Sequence, residues 1–108
     1  MAKPMETTRL ELHRQLCEFL GSNNVYFQPP ESIKMSYPAI VYDVYRVRQR
    51  FANDKQYLAY KGWTITIIDR NEEVDWITDM LEAFSYCSLE RTYVADGLTH
   101  YSFILFYS

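Results

Sequence analysis

The sequence predicts an α+β fold in a single domain, residues 1–108, with a mostly antiparallel sheet of four to five strands and two helices packed on one face. Residues 38–47 and 61–70 indicate strands, because apolar, β-branched and aromatic residues recur there at alternate positions. Residues 8–20 and 72–85 carry apolar residues at helical spacing. With 48% hydrophobic residues, the chain can bury a core.

The N-terminal part of the chain predicts a flexible arm, residues 1–6, followed by the first helix. Thr8 and Glu11 have the spacing of a capping box, in which two side chains satisfy free amides at the start of a helix. Gly21 is predicted to end this helix, because glycine readily takes the left-handed conformation found after the last turn. A short strand is expected at residues 25–27, where a pair of prolines then stops the ladder.

The middle of the chain predicts a long antiparallel hairpin. Residues 39–45 form its first strand, and residues 61–69 form its second strand, which is expected to lie in the centre of the sheet. The connector between them is polar and charged. Its tip, residues 48–56, is therefore expected to project from the body of the domain.

The C-terminal part predicts the second helix and two more strands. Acidic residues at the start of the helix suit the positive end of the helix dipole. The two strands, residues 87–93 and 99–107, are separated by Asp96 and Gly97, a pair typical of tight hairpin turns. The predicted order of elements is therefore α-β-β-β-α-β-β.

One face of the predicted sheet is left without a helix, because two helices cannot cover both sides of five strands. The last strand adds apolar residues to both faces. We therefore expect Tyr42, Ile104 and Phe106 to lie on the open face and to contact a partner, since large exposed apolar patches usually mark interfaces.

Charge and cysteine content narrow the function classes. Eleven basic residues against fourteen acidic ones give a net charge of −3, which argues against a general nucleic-acid binder. The sequence predicts neither a membrane span nor a signal peptide. Cys17 and Cys87 stand far apart in the sequence, so both are expected to stay reduced.

No motif predicts an enzyme, a cofactor or a metal site. His13 and Cys17 lie four residues apart and could share a helix face, but a zinc site needs three or four ligands. With three glycines in the whole chain, there is no glycine-rich phosphate loop. His100 lies near the turn at Asp96 without the surroundings of a catalytic triad.

An acidic cluster spans the end of the central strand and the second helix. Carboxylates in such a cluster can bind a divalent cation or perform acid–base chemistry. The spacing lacks the pattern of a calcium loop, so we favour dipole complementation and a solvated helix face. The cluster consists of Asp69, Glu72, Glu73, Asp75 and Asp79.

A basic row ends the first strand of the hairpin. Arg46, Arg48 and Arg50 alternate, so they share one face of an extended chain. Lys55 and Lys61 can join them across the hairpin. Three interpretations of this row stay open. It is a solvated edge whose charge discourages strand pairing, a surface that binds an acidic protein partner, or a patch that binds phosphate. The acidic net charge makes the third interpretation the weakest.

Short segments spread over nearly the whole chain carry a family resemblance. They are the helix at 8–20, GSNNVYFQPP at 21–30, MSYPAIVY at 35–42, RFANDK at 50–55, the strand at 60–69, YCS at 86–88 and YVADGL at 93–98. In these segments the chain resembles the tail terminator, or tail-completion, proteins of long-tailed bacteriophages. The segments are not catalytic signatures, and the family has no active-site residues to carry over.

The resemblance implies a structural role. Tail terminators form a ring, typically a hexamer, at the head-proximal end of the tail tube, where they stop tube polymerisation and join the tail to the head. The expected partners are further copies of the chain, the tail tube protein and the head–tail connector protein, with at most passive contact to DNA in the lumen. The chain would be made in the bacterial cytoplasm and end in the virion, at the tail–head junction.

A ring also implies which surfaces meet. The basic side of one subunit is expected to contact the acidic second helix of the next, with Phe51 at the hairpin tip as a docking anchor. The basic side comprises Arg46, Arg48, Arg50 and Lys55, and the acidic side comprises Asp75, Asp79 and Glu82. Two alternatives stay open: another connector component, such as a stopper or adaptor, and a small nucleic-acid-binding or ligand-binding domain.

Overall fold

The computed structural model describes residues 5–30, 33–45, 61–70 and 73–107. In this part, the chain folds into two helices and one five-stranded mixed sheet, which confirms the α+β class. Along the chain, the elements are α1 (Met5–Leu20), β1 (Val25–Phe27), β2 (Ala39–Val44), β3 (Lys61–Asp69), α2 (Trp76–Ala83), β4 (Cys87–Ala95) and β5 (Leu98–Tyr107). The strands lie side by side in the order β1-β2-β3-β5-β4, so β3 is the central strand, as predicted.

The sheet is antiparallel except at one edge. β2, β3, β5 and β4 pair antiparallel with their neighbours, whereas β1 pairs parallel with β2. Val25 lies beside Ile40 and Phe27 beside Tyr42, so both strands run in the same direction. The chain leaves β1 at Gln28 and enters β2 after Pro38, which returns it to the end of the sheet where β1 begins. The prediction of a mostly antiparallel sheet is therefore confirmed only in part.

The helix α1 begins earlier than the capping-box pattern predicted. It starts at Met5, so the last two residues of the predicted arm are helical, and residues 1–4 lie outside the described part. Thr8 is buried inside the helix and cannot be its N-cap. The reason is its position: Thr8, Leu12 and Leu16 are spaced by four residues and form the buried stripe of α1.

The helix α2 is shorter than predicted at both ends. It begins at Trp76, and the carboxylate of Asp75 accepts a hydrogen bond from the Thr78 amide at 3.1 Å, which makes Asp75 the N-cap. Glu73 therefore precedes the helix, and Asp79 is the acidic residue in its first turn. Phe84 has extended backbone angles and ends the helix.

The core lies between the helices and one face of the sheet. Residues directly opposite each other in a ladder share a face, so Trp63 and Ile65 of β3 lie on the same side as Leu105 and Phe103 of β5. Both helices pack on this side. The core includes Leu12, Leu16, Ile40, Trp63, Ile65, Ile67, Trp76, Met80, Phe103 and Leu105.

The predicted position of Tyr42 is wrong. Tyr42 pairs with Ile65 in the ladder, so its side chain points to the helix-covered face, where it is 1% exposed. Its ring contacts those of Phe27 and Trp63. Because the residue is buried within the domain, Tyr42 cannot contribute to a contact on the open face.

Candidate partner surface

The face of the sheet opposite the helices carries a mixed surface of threonines and apolar residues. We call it the open face. In the described residues, neither α1 nor α2 packs on it, because both helices bury their apolar stripes against the other side. Thr64 of β3 lies opposite Ile104 of β5, and Thr66 lies opposite Ser102. Ile104 is half-buried, and it alternates with the core residues Phe103 and Leu105, so it lies on the predicted side of the sheet.

Two aromatic rings meet at one end of the open face, above Gly62. The rings of Tyr45 and Phe106 are edge to face, with their centroids 6.3 Å apart. A Cβ atom on Gly62 would lie 3.0 Å from Cδ2 of Tyr45 and 3.2 Å from Cε1 of Phe106. The missing side chain of Gly62 therefore permits the close approach of the two rings. Phe106 lies on the open face, as predicted.

A polar aromatic stack occupies the other end of the open face. The rings of Tyr93 and His100 are stacked, with centroids 4.6 Å apart and an interplanar angle of 14°. The guanidinium of Arg91 lies 4.7 Å from the centre of the Tyr93 ring. Such a stack of a cation on an aromatic ring stabilises the local arrangement and keeps the Arg91 side chain along the surface.

A β-bulge in β4 directs two neighbouring charged side chains to the open face. The register shifts between Leu89 and Arg91, so Glu90 is the extra residue. Arg91 lies opposite Ser102, and the Ser102 hydroxyl donates a hydrogen bond to the Glu90 carboxylate at 3.3 Å. Glu90 and Arg91 are both exposed. This pair was not predicted, because a bulge leaves no clear signal in a sequence.

An acidic stripe lies on the exposed side of α2. Asp75, Asp79 and Glu82 are all exposed and are spaced by four and three residues, which puts them on one side of the helix. The hydrogen bonds from Thr78 lower the pKa of the Asp75 carboxyl, so this residue keeps its negative charge. The structure thus brings the three predicted acidic residues together on one surface.

The predicted basic side lies outside the described residues. This holds for Arg46, Arg48, Arg50, Phe51 and Lys55, and for the whole predicted hairpin tip. The contact between the basic and acidic sides therefore remains a prediction.

No protein-family model, curated protein or solved structure matches this chain. In the described part, no group of three or more side chains could hold a metal ion. The described helices include none that is long and apolar enough to cross a membrane.

The acidic cluster proposed from the sequence is divided by the fold. Asp69 is buried at the end of β3, where its carboxylate accepts a hydrogen bond from the indole N–H of Trp76 at 2.8 Å. This contact ties the central strand to the first turn of α2. Asp69 therefore has a structural role, whereas Asp75 and Asp79 belong to the solvated side of the helix.

His13 of α1, a zinc-ligand candidate in the sequence, instead ties the helix to the sheet. The Nδ1 atom of His13 and the hydroxyl of Tyr42 are 2.7 Å apart and share a hydrogen bond. Arg9 lies over the ring of Phe27 at 4.7 Å. Burial and the charge of Arg9 lower the pKa of His13, and burial raises the pKa of Cys17, so both side chains are favoured in their neutral forms.

Cys87 packs against the core at the start of β4. Burial raises the pKa of its thiol to about 11, so the thiol is a poor nucleophile at neutral pH. Cys17 and Cys87 are both free thiols.

Proposed function

We propose that this chain is the tail terminator of a long-tailed bacteriophage, a structural protein without catalytic activity or cofactor. Copies of the chain form a ring, typically a hexamer, at the head-proximal end of the tail tube. The ring ends tube polymerisation and joins the tail to the head connector, so the protein lies at the tail–head junction of the virion, with DNA passing through its lumen.

One structural observation carries this proposal. In the described residues, both helices pack on the same face of the sheet, and the open face carries Ile104 together with the ring pair of Tyr45 and Phe106. An apolar patch on one face of a sheet is suited to contact another protein. When the two contacting surfaces of a subunit differ and the rotation closes, the assembly is a ring.

The acidic stripe on α2 supports a contact of this head-to-tail kind. Asp75, Asp79 and Glu82 are exposed on one side of the helix. The basic row of the neighbouring subunit, Arg46, Arg48 and Arg50, is the expected partner. Opposite charges on two different surfaces favour one register and disfavour self-pairing of either surface, because like charges repel.

The decisive experiment measures the mass of the purified protein by light scattering over a concentration series, alone and mixed with the tail tube protein. A ring, or a monomer that assembles only on tube ends, supports the proposal. An Ile104→Asp variant should lose assembly, whereas Leu10→Asp, which changes an exposed apolar residue on α1, should not. A protein that does not bind the tail tube protein at any concentration would refute the proposal. Binding to the head connector alone would indicate a stopper or adaptor.

Charge reversal tests the proposed register. Arg48→Glu should weaken assembly, because it places two negative charges opposite each other. The double variant Arg48→Glu with Asp79→Arg should restore assembly by exchanging the partners of the pair. If the double variant assembles no better than Arg48→Glu alone, these two residues do not pair.

A further inference from the structure

The edge strand β4 has a long free side, with which no described residue pairs. β4 is the outermost strand of the described sheet, and eight of its nine residues pair with β5 on the inner side. A strand edge of this kind presents backbone amides and carbonyls that can pair with another chain. We call the unpaired side of this strand the β4 edge.

The register identifies which residues of β4 direct their backbone groups to the free side. The amide of Phe106 donates to the carbonyl of Tyr86, so this opposite pair is hydrogen-bonded, and such pairs alternate along an antiparallel ladder. Before the bulge, Cys87 and Leu89 therefore point their backbone groups outward. After the bulge, the pair Ala95 and Leu98 closes the two-residue turn, which leaves Thr92 and Val94 directed outward.

Exposed apolar side chains are concentrated at the same strand. Seven large hydrophobic side chains are exposed in the described part of the chain. Four of them lie on β4 or in the residue before it, namely Tyr86, Leu89, Tyr93 and Val94. Val94 is the second most exposed of the four, at 68%, so this strand offers apolar side chains that a partner can bury.

The charges on β4 favour a second copy of the same strand as this partner. Edge strands often carry charges that prevent pairing. Here, Glu90 and Arg91 have opposite charges, are adjacent, and both lie on the open face because of the bulge. In an antiparallel pair of two β4 strands with a two-fold axis between these residues, Glu90 of each copy faces Arg91 of the other. The charges are therefore complementary to a second copy of the same strand.

The same axis also aligns the backbone. It places Thr92 opposite Leu89 of the other copy and Val94 opposite Cys87, and these are the residues whose backbone groups point outward. The extra residues of the two bulges lie next to each other across the axis, each opposite Arg91 of the other copy. The two ladders can therefore continue on either side of the axis.

We propose that two copies of the chain associate through their β4 edges, antiparallel and about a two-fold axis between Glu90 and Arg91, to form one continuous ten-stranded sheet. This contact uses the β4 edge, with Glu90 and Arg91 at the border of the open face, whereas the ring contact proposed above uses Ile104, Phe106 and α2. It does not depend on the tail-terminator proposal. If both contacts form, the assembly contains two rings related by two-fold axes.

The first test is the mass of the full chain, measured by sedimentation velocity over a concentration series. The pairing predicts a species of twice the 12.9 kDa chain mass, or a doubling of any ring that forms. Val94→Lys should abolish the doubling, because it places a charge at the apolar edge. Leu10→Lys is the matched control, since Leu10 is 54% exposed on α1, and it should dimerise like the unmodified chain.

A charge exchange tests the position of the axis. Arg91→Glu turns both cross-strand pairs into like charges and should raise the dissociation constant roughly tenfold or more. Glu90→Arg together with Arg91→Glu restores opposite charges in both pairs and should recover the affinity. An equal affinity of all three proteins would refute this axis.

Amide hydrogen exchange distinguishes edge pairing from a contact through a face. The amides of Thr92 and Val94 should become protected as the protein concentration rises, whereas the amide of Tyr93, already paired with β5, should change little. A dimer that leaves Thr92 and Val94 unprotected would refute the proposal, as would a monomer at all concentrations. Binding of the tail tube protein should be unchanged in Val94→Lys, so the outcome is independent of the tail-terminator test.

Discussion

The buried hydrogen bond between Asp69 and Trp76 should contribute measurably to stability. The carboxylate and the indole N–H are 2.8 Å apart, and the two residues are 5% and 7% exposed. Asp69→Ala removes the acceptor and leaves the indole N–H in a buried site. Hydrogen bonds to charged groups contribute about 1.5–3 kcal/mol, so we expect a loss of about 2 kcal/mol in the free energy of unfolding. With a urea m-value of about 2 kcal/mol/M, the midpoint should fall by about 1 M.

A double-mutant cycle separates this hydrogen bond from the other effects of the substitution. Trp76→Phe removes the N–H donor and keeps an aromatic ring in the core. If the hydrogen bond accounts for the effect, Asp69→Ala should lower the free energy of unfolding less in the Trp76→Phe background than in the unmodified chain. The difference between the two losses should be about 1.5 kcal/mol or more. Urea titrations followed by circular dichroism measure all four proteins. A coupling energy below about 0.5 kcal/mol would show that Asp69 stabilises the domain in another way.

Three further predictions concern other parts of the domain. Gly62→Ala should destabilise the protein by about 1 kcal/mol, as measured by thermal or urea unfolding. Crowding of the new methyl group against Tyr45 and Phe106 costs about 1–3 kcal/mol, which exceeds the gain of about 0.5–1 kcal/mol from replacing a glycine in a strand. Because the pKa of His13 is lowered in the folded protein, the unfolded chain binds the proton more readily. The urea midpoint should therefore fall as the pH drops below 6.5, and this fall should be less steep in His13→Gln. Cys87, with a pKa of about 11, should react with iodoacetamide much more slowly in the native protein than in urea.

The parts of the fold that could be predicted are those set by local patterns. The alternation in β3 and β5 predicted both strands closely, and the Asp96–Gly97 pair forms the expected turn, with φ of 54° and 74°. Gly21 ends α1 with φ of 80°, and its amide donates to the carbonyl of Cys17. Each of these features depends on neighbouring residues alone.

The features that could not be predicted depend on tertiary contacts. Tyr42 lies in an apolar strand in which both faces could be buried, so its side follows from the register with β3 and not from its neighbours in sequence. Thr8 resembles an N-cap, but burial against the sheet extends the helix past it. The parallel pairing of β1 depends on the path of the chain after Gln28.

The open face shows the same division between local and tertiary information. The apolar residues of β5 were sufficient to predict that Ile104 and Phe106 face away from the helices. The stack of Arg91, Tyr93 and His100 was not predicted, because it requires both the hairpin register and the bulge. The partners of polar residues in a strand can be identified only when the pairing of the strands is known.

Two surfaces of this domain are suited to contacts of different symmetry, and the physical reason lies in their charges. The acidic stripe of α2 has one sign only, so it repels a copy of itself and favours contact with a different, basic surface. The β4 edge carries one charge of each sign in adjacent positions, so it is complementary to itself in the antiparallel direction. The first pattern favours head-to-tail contacts and the second a two-fold contact. Added salt should weaken both contacts, but Val94→Lys should affect only the second, which makes the two separable in one protein.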